Sequence, residues 1–403
     1  MKKLALHWQI LIGLIIGLLY GLLLKSHVEY VSWMGVIFLR ALKMIVVPLV
    51  LTSLISGVTN IGSGSSLGRL SLKTLGYYML TSIIAILTGL FLVNIIEPGV
   101  GASSELTSSM EQFTLTEKPL SETLIEIIPT NIFQAFIEAN MLAIIFFAIL
   151  FGFFITKLNG KHKQLLTDFF DAAFEAMMKI TLFIIKFAPF GVLGIVAKVV
   201  AEQENIFALA ERLGLFMLVV VIGLCFHAFI SLPLITRILV KVKPYKHMNN
   251  MATPLLTAFS TASSNATLPL TMEAVEHKSG VSNKIASFTL PLGATINMDG
   301  TALYELAVAG FIAQLTGHDL TFVQQFIIVA TALLASIGTA GVPMASYVAM
   351  TIIFTAIGLP LEYMLLVLPV DRPLDMLRTA TNVWSDTCAA VVVAKSEGEK
   401  LKV

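Results

Sequence analysis

Five polar side chains near the C-terminus are spaced so that they share one face of a helix. The set comprises Asp371, Asp375, Arg378, Asn382 and Asp386. At 100° per residue they fall within an arc of about 80°. The surrounding chain is strongly apolar, with 57% hydrophobic and 13% charged residues, and each Asp or Arg at a bilayer centre costs roughly 2.5–3.5 kcal/mol. We therefore expect this face to point into a protein interior that supplies partners for its charges.

Arg378 and Asp375 carry the charges needed to hold a small zwitterion. A guanidinium in a dry pocket binds a carboxylate through two hydrogen bonds, and a carboxylate nearly one turn earlier can hold an ammonium group. Donors at the N-termini of short helices would take a second carboxylate. One amine and two carboxylates describe aspartate or glutamate. The alternative is a structural ion pair between Arg378 and Asp375, which is easily formed at a spacing of three residues.

A second polar run interrupts an apolar segment that extends from about 281 to 315. It reads Asn297-Met298-Asp299-Gly300-Thr301, and we expect Gly293 and Gly300 to permit local unwinding that exposes backbone carbonyls. Carbonyl, amide, hydroxyl and carboxylate oxygens are hard ligands that suit Na⁺. Asn382 and Asp386, one turn apart, would complete a second such cluster. The alternative for Asp299 is a buried carboxylate satisfied by neighbouring hydroxyl groups.

Glu305 is a further carboxyl group within apolar sequence, four residues after Thr301. Burial in a low-dielectric medium favours the protonated form of such a group, so Glu305 is a candidate for proton exchange. Packing with a simple hydrogen bond explains its position equally well.

An ion channel and an intramembrane protease are two alternative classes of membrane protein. A channel would also place polar residues at mid-membrane, but it does not need an Arg378–Asp375 pair suited to a zwitterion. His227 is the only histidine deep in an apolar span, and the sequence contains no G-x-S-G or G-x-G-D run. We therefore expect His227 to be a packed structural residue and disfavour an enzyme.

The apolar stretches predict an integral membrane protein, because several are long enough to cross a hydrocarbon core that needs about 20 residues. The first has no A-x-A-like cleavage site and is expected to be a retained helix rather than a signal peptide. A net charge of +1 gives no sign of nucleic-acid binding. Before residue 251 the stretches lie at about 5–24, 33–57, 74–96, 132–156, 172–200 and 207–240.

Loop charges predict the orientation in the membrane. Lysine- and arginine-rich loops alternate with poorer ones, and the segment 97–130 is acidic and rich in Ser and Thr. The positive-inside rule places basic loops in the cytoplasm. We therefore expect both termini on the cytoplasmic side of a plasma (inner) membrane and 97–130 outside.

Two runs of small residues, 260–269 and 336–343, read best as the tips of re-entrant hairpins, each made of two short helices. Open backbone at membrane depth is tolerated only where it is buried in protein or lines a cavity. Each run ends in a proline that is followed 28 residues later by a polar helix residue, Asn297 after Pro269 and Asp371 after Pro343. Paired interrupted segments of this kind point to a binding site at the membrane midplane.

These runs closely resemble the dicarboxylate/amino-acid:cation symporter family, which includes archaeal aspartate transporters and animal excitatory amino-acid transporters. The resemblance covers almost the whole chain. It is most specific in Ser263-Ser264…Thr267-Leu268-Pro269, Ala294 to Glu305, Ser336 to Pro343, and Asp371…Asp375-Met376-Leu377-Arg378-Thr379…Asn382…Asp386.

The resemblance implies an all-α integral membrane protein with eight transmembrane helices, two re-entrant hairpins, inverted repeats and an elevator mechanism. It also implies a homotrimer in which a static scaffold carries a moving transport domain. The expected divisions are 1–73 (first and second helices, scaffold), 74–120 (third helix, transport domain, and an extracellular loop), 121–165 (fourth helix, scaffold), 166–206 (fifth helix, scaffold), 207–244 (sixth helix, transport-domain side), 245–278 (first hairpin), 279–317 (seventh helix), 318–358 (second hairpin) and 359–403 (eighth helix and cytoplasmic tail).

Site residues follow from the same resemblance. Asp375 would hold the substrate amine, Arg378 and Thr301 the side-chain carboxylate, and Asn382 with Ser264 the main-chain carboxylate. Ser263, Met298, Val342 and Thr379 would complete the substrate site. The sodium ligands would be Gly293, Asn297, Asn382 and Asp386 at one site, Thr295, Ser336, Ile337 and Thr339 at another, and Tyr78, Thr81, Ser82, Asn297 and Asp299 at a third.

The expected function is Na⁺-driven import of glutamate or aspartate. Glu305 matches the glutamate of relatives that also move protons and counter-transport K⁺, so H⁺ co-transport is expected and K⁺ antiport is a further hypothesis. The alternative is a proton- or sodium-coupled transporter of C4-dicarboxylates or neutral amino acids with the same fold. Arg378 speaks against the neutral branch and Asp375 against the dicarboxylate branch. Ala262 and Met376 stand where relatives carry an arginine, so no second arginine supports Arg378.

Overall fold

All regular structure in the described part of the chain is helical, which confirms the expectation of an all-α protein. Within it, Glu29–Thr59, Arg69–Ile96 and Ala210–Val240 are long and apolar enough to cross a bilayer. A helix pair bent by 52°, Gly160–Ile185 with Ala188–Lys198, is a fourth candidate. These spans agree with a membrane protein, and the full set of eight stays a prediction. The computed structural model describes residues 6–60, 65–101, 122, 125–202, 206–338 and 345–403.

The helices of the N-terminal half largely follow the apolar stretches, but two stretches are divided by breaks. The carboxamide oxygen of Asn140 accepts from the N–H of Ala143 and starts a new helix there. Pro189, which lacks an N–H, sits in the first turn of the helix after the second break. In chain order the helices are α1 (Leu6–Leu23), α2 (Glu29–Asn60), α3 (Ser65–Ile96), α4 (Ile132–Ile137), α5 (Met141–Lys157), α6 (Gly160–Ile185) and α7 (Ala188–Glu202).

The expected divisions at 73/74 and 165/166 fall inside helices, the first in α3 and the second in α6. Residues 161–163, which are basic, lie in the first turn of α6. The chain between α5 and α6 turns at Leu158 and Asn159, both of which have extended backbone.

The C-terminal half contains shorter and more interrupted helices. A π-helical turn at His227–Ser231 separates two of them, and another follows at Val275–Ser279. The α-helices are α8 (Ile206–Phe226), α9 (Leu232–Val240), α10 (Pro244–Asn250), α11 (Ala252–Thr261), α12 (Ser264–Ala274), α13 (Asn283–Ile296), α14 (Asp299–Leu315), α15 (Phe322–Gly338), α16 (Ala345–Ile357) and α17 (Leu368–Ser396).

Helices α11 and α12 pack against each other as two short helices joined by a tight tip. The chain reverses because Ala262 adopts a left-handed backbone conformation with φ of 50°. The Ser263 hydroxyl then caps α12 by accepting from the N–H of Ala266 at 3.2 Å. Helices α15 and α16 flank the second expected tip, but residues 339–344 lie outside the described residues.

The expected unwinding in the seventh helix is confined to Asn297 and Met298, between α13 and α14. The role expected for the two glycines is wrong, because both lie within helices. A Cβ at Gly300 would lie 2.8 Å from the carbonyl oxygen of Arg378, and a Cβ at Gly293 would clash with the Asp386 carboxylate. These glycines permit close approach of α17 rather than local unwinding.

Helix α14 forms the centre of the molecule and is buried on nearly all sides. It packs against α3, α8 and α17. Its N-terminal turn is enclosed by polar residues of α3, of α17 and of the π-helical turn that follows α8. Elsewhere α1 packs closely on α7, with Gly13, Gly17 and Gly21 against the backbone of the facing helix. The structure therefore places the polar residues of α3, α14 and α17 around one buried region.

Candidate functional site

A cavity of about 640 Å³ lies between the tip of α11–α12 and the first half of α17. Its volume falls in the usual range for small-molecule sites, roughly 300–1,000 Å³. Predicted site residues from three separate elements meet at its wall. They are Ser263, Ser264, Met298, Thr301, Asp375, Thr379 and Asn382.

Arg378 lies behind this cavity wall rather than on it. Its side chain is only 1% exposed, and Nη2 donates to Asp371 at 2.8 Å and to Asp375 at 3.1 Å. The guanidinium carbon also lies 3.9 Å from the centre of the Tyr304 ring, in cation–π contact. The structural ion pair left open by the sequence is therefore present, with Asp371 as an additional partner.

Two of the guanidinium nitrogens remain without a hydrogen-bond partner. Nε and Nη1 of Arg378 are both buried and unpaired. Leaving a buried donor unsatisfied costs about 1–3 kcal/mol, and more for a charged group. The arginine thus uses one nitrogen for protein contacts and keeps two for another acceptor.

Asp375 lies between the guanidinium and the cavity. Its side chain is 34% exposed, compared with 13% for Asp371. Arg372 approaches its second carboxylate oxygen at 3.4 Å from the rim. An ammonium group entering the cavity would therefore meet a carboxylate that is already oriented by Arg378.

Asn382 links the cavity to the start of α14. Its Nδ2 donates to the Thr301 hydroxyl at 3.1 Å, and its Oδ1 accepts from the N–H of Gly300 at 2.7 Å. Met298 Sδ lies 3.2 Å from the same amide nitrogen. Thr379 lines the cavity one turn before Asn382, and its hydroxyl donates to the carbonyl of Asp375.

Asp299 begins α14 and is enclosed by four hydrogen-bonding side chains. Hydroxyl groups of Ser82 and Thr81 donate to Oδ1 at 2.6 and 3.3 Å. On the other side, Ser385 donates to Oδ2 at 2.6 Å and Nε2 of His227 lies 3.1 Å from Oδ2. A negative charge here also suits the helix N-terminus. The hydroxyl-satisfied carboxylate that the sequence left open is thus present.

His227 is fully buried, as expected for a packed structural residue, and its ring also contacts Asp299 directly. Sequence reasoning gave no role to Ser385, and it placed Asp371 on the polar face without pairing it with Arg378. Ser385 lies only about 20° beyond the polar arc of α17, so a slightly wider arc would have included it. The isolation of His227 deep in an apolar span was one indication in the sequence that it could matter. Its partner, Asp299, is 72 residues away and could not be inferred from local spacing.

Asn297 forms a second cluster with α17. Its Nδ2 donates to Asp386 Oδ1 and to the Ser385 hydroxyl, both at 2.9 Å. Its Oδ1 is buried without a partner. Tyr78 is buried nearby, and its hydroxyl donates to the carbonyl of Thr289 at 2.8 Å. The region between the two clusters is thus rich in oxygen atoms, one of which has no donor.

The remaining predicted residues lie in α13, in α15 or outside the described residues. Thr295 is exposed on α13, and its hydroxyl donates to carbonyls of its own helix. Ser336 and Ile337 lie on the last turn of α15, while Thr339 and Val342 lie outside the described residues. The second expected sodium site therefore stays a prediction, because the side chains of most of its residues are not described by the structure.

Glu305 is fully buried one turn after Thr301 on α14. Both of its carboxylate oxygens lack a hydrogen-bond partner. An ionised carboxylate in this position would be strongly destabilised. The hydrogen-bonded packing considered from the sequence is therefore not seen.

Comparison with known proteins finds similarity along almost the whole chain. A model of the sodium:dicarboxylate symporter family matches residues 6–396. The proton/sodium-glutamate symport protein of Geobacillus stearothermophilus is 36% identical, covering 99% of this chain and 96% of that protein. Excitatory amino acid transporter 3 of Mus musculus is 35% identical, covering 98% and 87%. The proton/glutamate-aspartate symporter of Escherichia coli (strain K12) is also 35% identical, covering 98% and 93%. The chain belongs to the sodium:dicarboxylate symporter family.

Proposed function

We propose that the protein imports glutamate or aspartate by symport with Na⁺. The observation that carries this proposal is that a carboxylate lining the cavity lies beside a buried guanidinium with unused hydrogen-bond donors. Asp375 faces the cavity, and Arg378 keeps Nε and Nη1 unpaired behind it. Two relatives of almost full-length similarity are named as glutamate or glutamate-aspartate symporters, and a third as an excitatory amino acid transporter.

In this proposal each charged group of the substrate has its own binding residues. Asp375 binds the amine, and Nε and Nη1 of Arg378 bind the side-chain carboxylate together with Thr301. A carboxylate would satisfy both unpaired donors and remove the cost of burying them. Ser263, Ser264 and Asn382 are then left for the main-chain carboxylate, with Met298, Thr379 and Val342 completing the site.

The cation part of the proposal assigns Na⁺, as cargo, to the oxygen-rich region around Asp299 and Asn297. The atoms proposed as ligands are all hard oxygens, which suit an alkali cation, and Asn297 Oδ1 has no partner to displace. The hydroxyls of Thr81 and Ser82 can rotate to present lone pairs. We assign one site to Tyr78, Thr81, Ser82, Asn297 and Asp299, and another to Gly293, Asn297, Asn382 and Asp386. The site with Thr295, Ser336, Ile337 and Thr339 rests on the resemblance alone.

Glu305 is proposed to carry a proton with the substrate. Its two unpaired oxygens in a buried position favour the protonated form. The names of two relatives include proton coupling. Antiport of K⁺ is the weaker part of this proposal, since it rests on the resemblance at Glu305 alone.

The elevator architecture is proposed from the resemblance and from the packing. Helices α3, α11–α14 and α17 share contacts around the site, whereas α1, α2, α6 and α7 pack mainly on one another. This division supports a transport domain and a scaffold. We further propose eight spans, two re-entrant hairpins, a homotrimer, and both termini on the cytoplasmic side of the plasma (inner) membrane.

A C4-dicarboxylate is the second candidate substrate, favoured by the description of the matching family. Such a substrate has no amine, so Asp371 and Asp375 would repel it across the cavity wall. Neutral amino acids would leave the unpaired nitrogens of Arg378 unsatisfied. Both alternatives are therefore expected to be poorer substrates.

Uptake by purified protein in proteoliposomes tests the proposal, with labelled L-glutamate, L-aspartate and succinate and with Na⁺, K⁺ and pH gradients imposed separately. Arg378→Ala should reduce acidic amino-acid uptake by about 100-fold, the equivalent of two charge-assisted hydrogen bonds. Arg237→Ala is the matched control, since this arginine is exposed on the last turn of α9. Unchanged glutamate uptake by the Arg378 variant, or succinate uptake exceeding that of both amino acids, would contradict the assignment.

A further inference from the structure

The partners of Asp299 divide into two chemical kinds, one on each carboxylate oxygen. Oδ1 accepts only from hydroxyl groups, those of Ser82 and Thr81. Oδ2 accepts from the Ser385 hydroxyl and lies 3.1 Å from the ring nitrogen of His227. The two faces of the carboxylate are therefore not equivalent.

A hydroxyl group and an imidazole N–H respond differently to a cation. A hydroxyl can rotate its hydrogen away and present a lone pair to the ion, whereas a ring N–H has a fixed direction. A carboxylate has only acceptors, so Nε2 of His227 donates to Asp299, while Nδ1 is buried without a partner. His227 thus orients the carboxylate and cannot itself bind the ion through Nε2.

The backbone fixes His227 in this position. The residue opens the π-helical turn His227–Ser231, where the regular helical hydrogen-bonding pattern changes. The indole of Trp384 donates to the carbonyl of Ala228 at 2.9 Å, which ties this turn to α17. Trp384 precedes Ser385, so both groups on Oδ2 belong to one anchored unit.

We propose that His227 is a positioning residue of the cation site formed by Tyr78, Thr81, Ser82, Asn297 and Asp299. Together with Ser385 it holds Oδ2 and keeps Oδ1 directed towards the hydroxyl groups of α3, where Na⁺ is taken up. The inference rests on the proposed cation-binding role of Asp299. Groups that orient a metal ligand in this way typically alter ion affinity by 10- to 100-fold when removed.

Two substitutions at one position test the proposal. His227→Leu removes the N–H donor, while His227→Gln can place an amide N–H at a similar reach. We expect the leucine variant to require about tenfold more Na⁺ for half-maximal uptake of labelled substrate. Its substrate affinity at saturating Na⁺ should be unchanged, and the glutamine variant should restore most of the Na⁺ affinity. His247→Leu is the matched control, since this histidine is also fully buried but bonds to Ser279 away from the cluster.

Direct Na⁺ binding to the purified protein, measured by protection against thermal unfolding, provides a second readout that does not need turnover. An unshifted Na⁺ dependence in His227→Leu overturns the proposal, as does a glutamine variant that is as impaired as the leucine variant. The Asp299→Asn variant distinguishes a wrong role for His227 from a wrong assignment of the cation site. If Asp299→Asn weakens Na⁺ dependence while His227→Leu does not, only the role of His227 is wrong. If Asp299→Asn also leaves it unchanged, the cation site itself is misassigned.

Discussion

Helix α17 carries ion pairs at both of its ends, and the two sets have almost the same geometry in opposite surroundings. Near its start, Arg378 contacts Asp371 at 2.8 Å and is only 1% exposed. Past its end, Glu397 contacts Arg69 at 2.9 Å, and that arginine is 66% exposed. Lys73 donates to the same carboxylate. Ion pairs with equal nitrogen–oxygen distances therefore need not contribute equally to the free energy of unfolding.

The difference lies in what happens when one partner is removed. In water an unpaired charge is solvated at little cost, and exposed pairs contribute only about 0–1 kcal/mol. Inside the protein the remaining charge has no solvent, so breaking a buried pair costs about 3–5 kcal/mol. The buried pair near the cavity thus constrains the fold, while the outer pairs mainly tie the tail to α3.

The largest effect is expected for Asp371→Asn, which removes the nearer anion from Arg378. Asp375 remains, so the loss should lie near the lower end for buried pairs, about 3 kcal/mol. Denaturant or thermal unfolding in detergent measures it. A shift no larger than that of the Glu397 variant described below would show that the two regions do not differ as proposed.

A second prediction concerns the pH dependence of stability that arises from the buried His247. This residue lies on the short helix α10, and burial lowers the pKa of His247 to about 4 from the ordinary 6.5. Above pH 6.5 both folded and unfolded states hold it neutral. As the pH falls from 6.5 towards 4 the unfolded state binds the proton first, which destabilises the fold by about 2 kcal/mol at pH 5 relative to pH 7.

His247→Phe removes this proton site while keeping an aromatic ring against Trp384, whose centre is 5.2 Å away. The loss of stability between pH 7 and pH 5 should become smaller in this variant. Unfolding midpoints at the two pH values give the comparison. An identical pH dependence in both proteins would mean that His247 is not the group responsible.

The smallest effect is expected for Glu397→Gln. Hydrogen bonds from Lys73 and Arg69 hold the pKa of Glu397 at about 2, below its usual 4.5. A lowered carboxyl pKa contributes stability above pH 4.5, and this contribution is lost as the pH falls towards 2. Because the pair is exposed, the unfolding midpoint at pH 7 should change little, and less still in high salt. A loss at pH 7 as large as that of Asp371→Asn would contradict the comparison.

Much of the helical framework and the polar face of α17 were predictable from residue spacing. The arc formed by Asp371, Arg378 and Asp386 depends only on the helical period, and α17 is a continuous helix through all of them. The tip at Ala262–Ser263 was predictable because small polar residues interrupt apolar flanks. The break at Asn297 was also predictable, but the role of Gly300 was not, since it depends on the backbone of α17.

The sequence by itself determined which residues share a face, where helices are interrupted, and that buried charge had to be neutralised inside protein. Only the tertiary structure decided which groups neutralise one another. Arg378 forms ion pairs with acidic residues of its own helix, whereas Asp299 contacts His227, which is 72 residues away in the sequence. The physical reason is that helical period fixes the direction of a side chain relative to its own axis. What lies opposite that side chain depends on the packing of other helices, which no local pattern records.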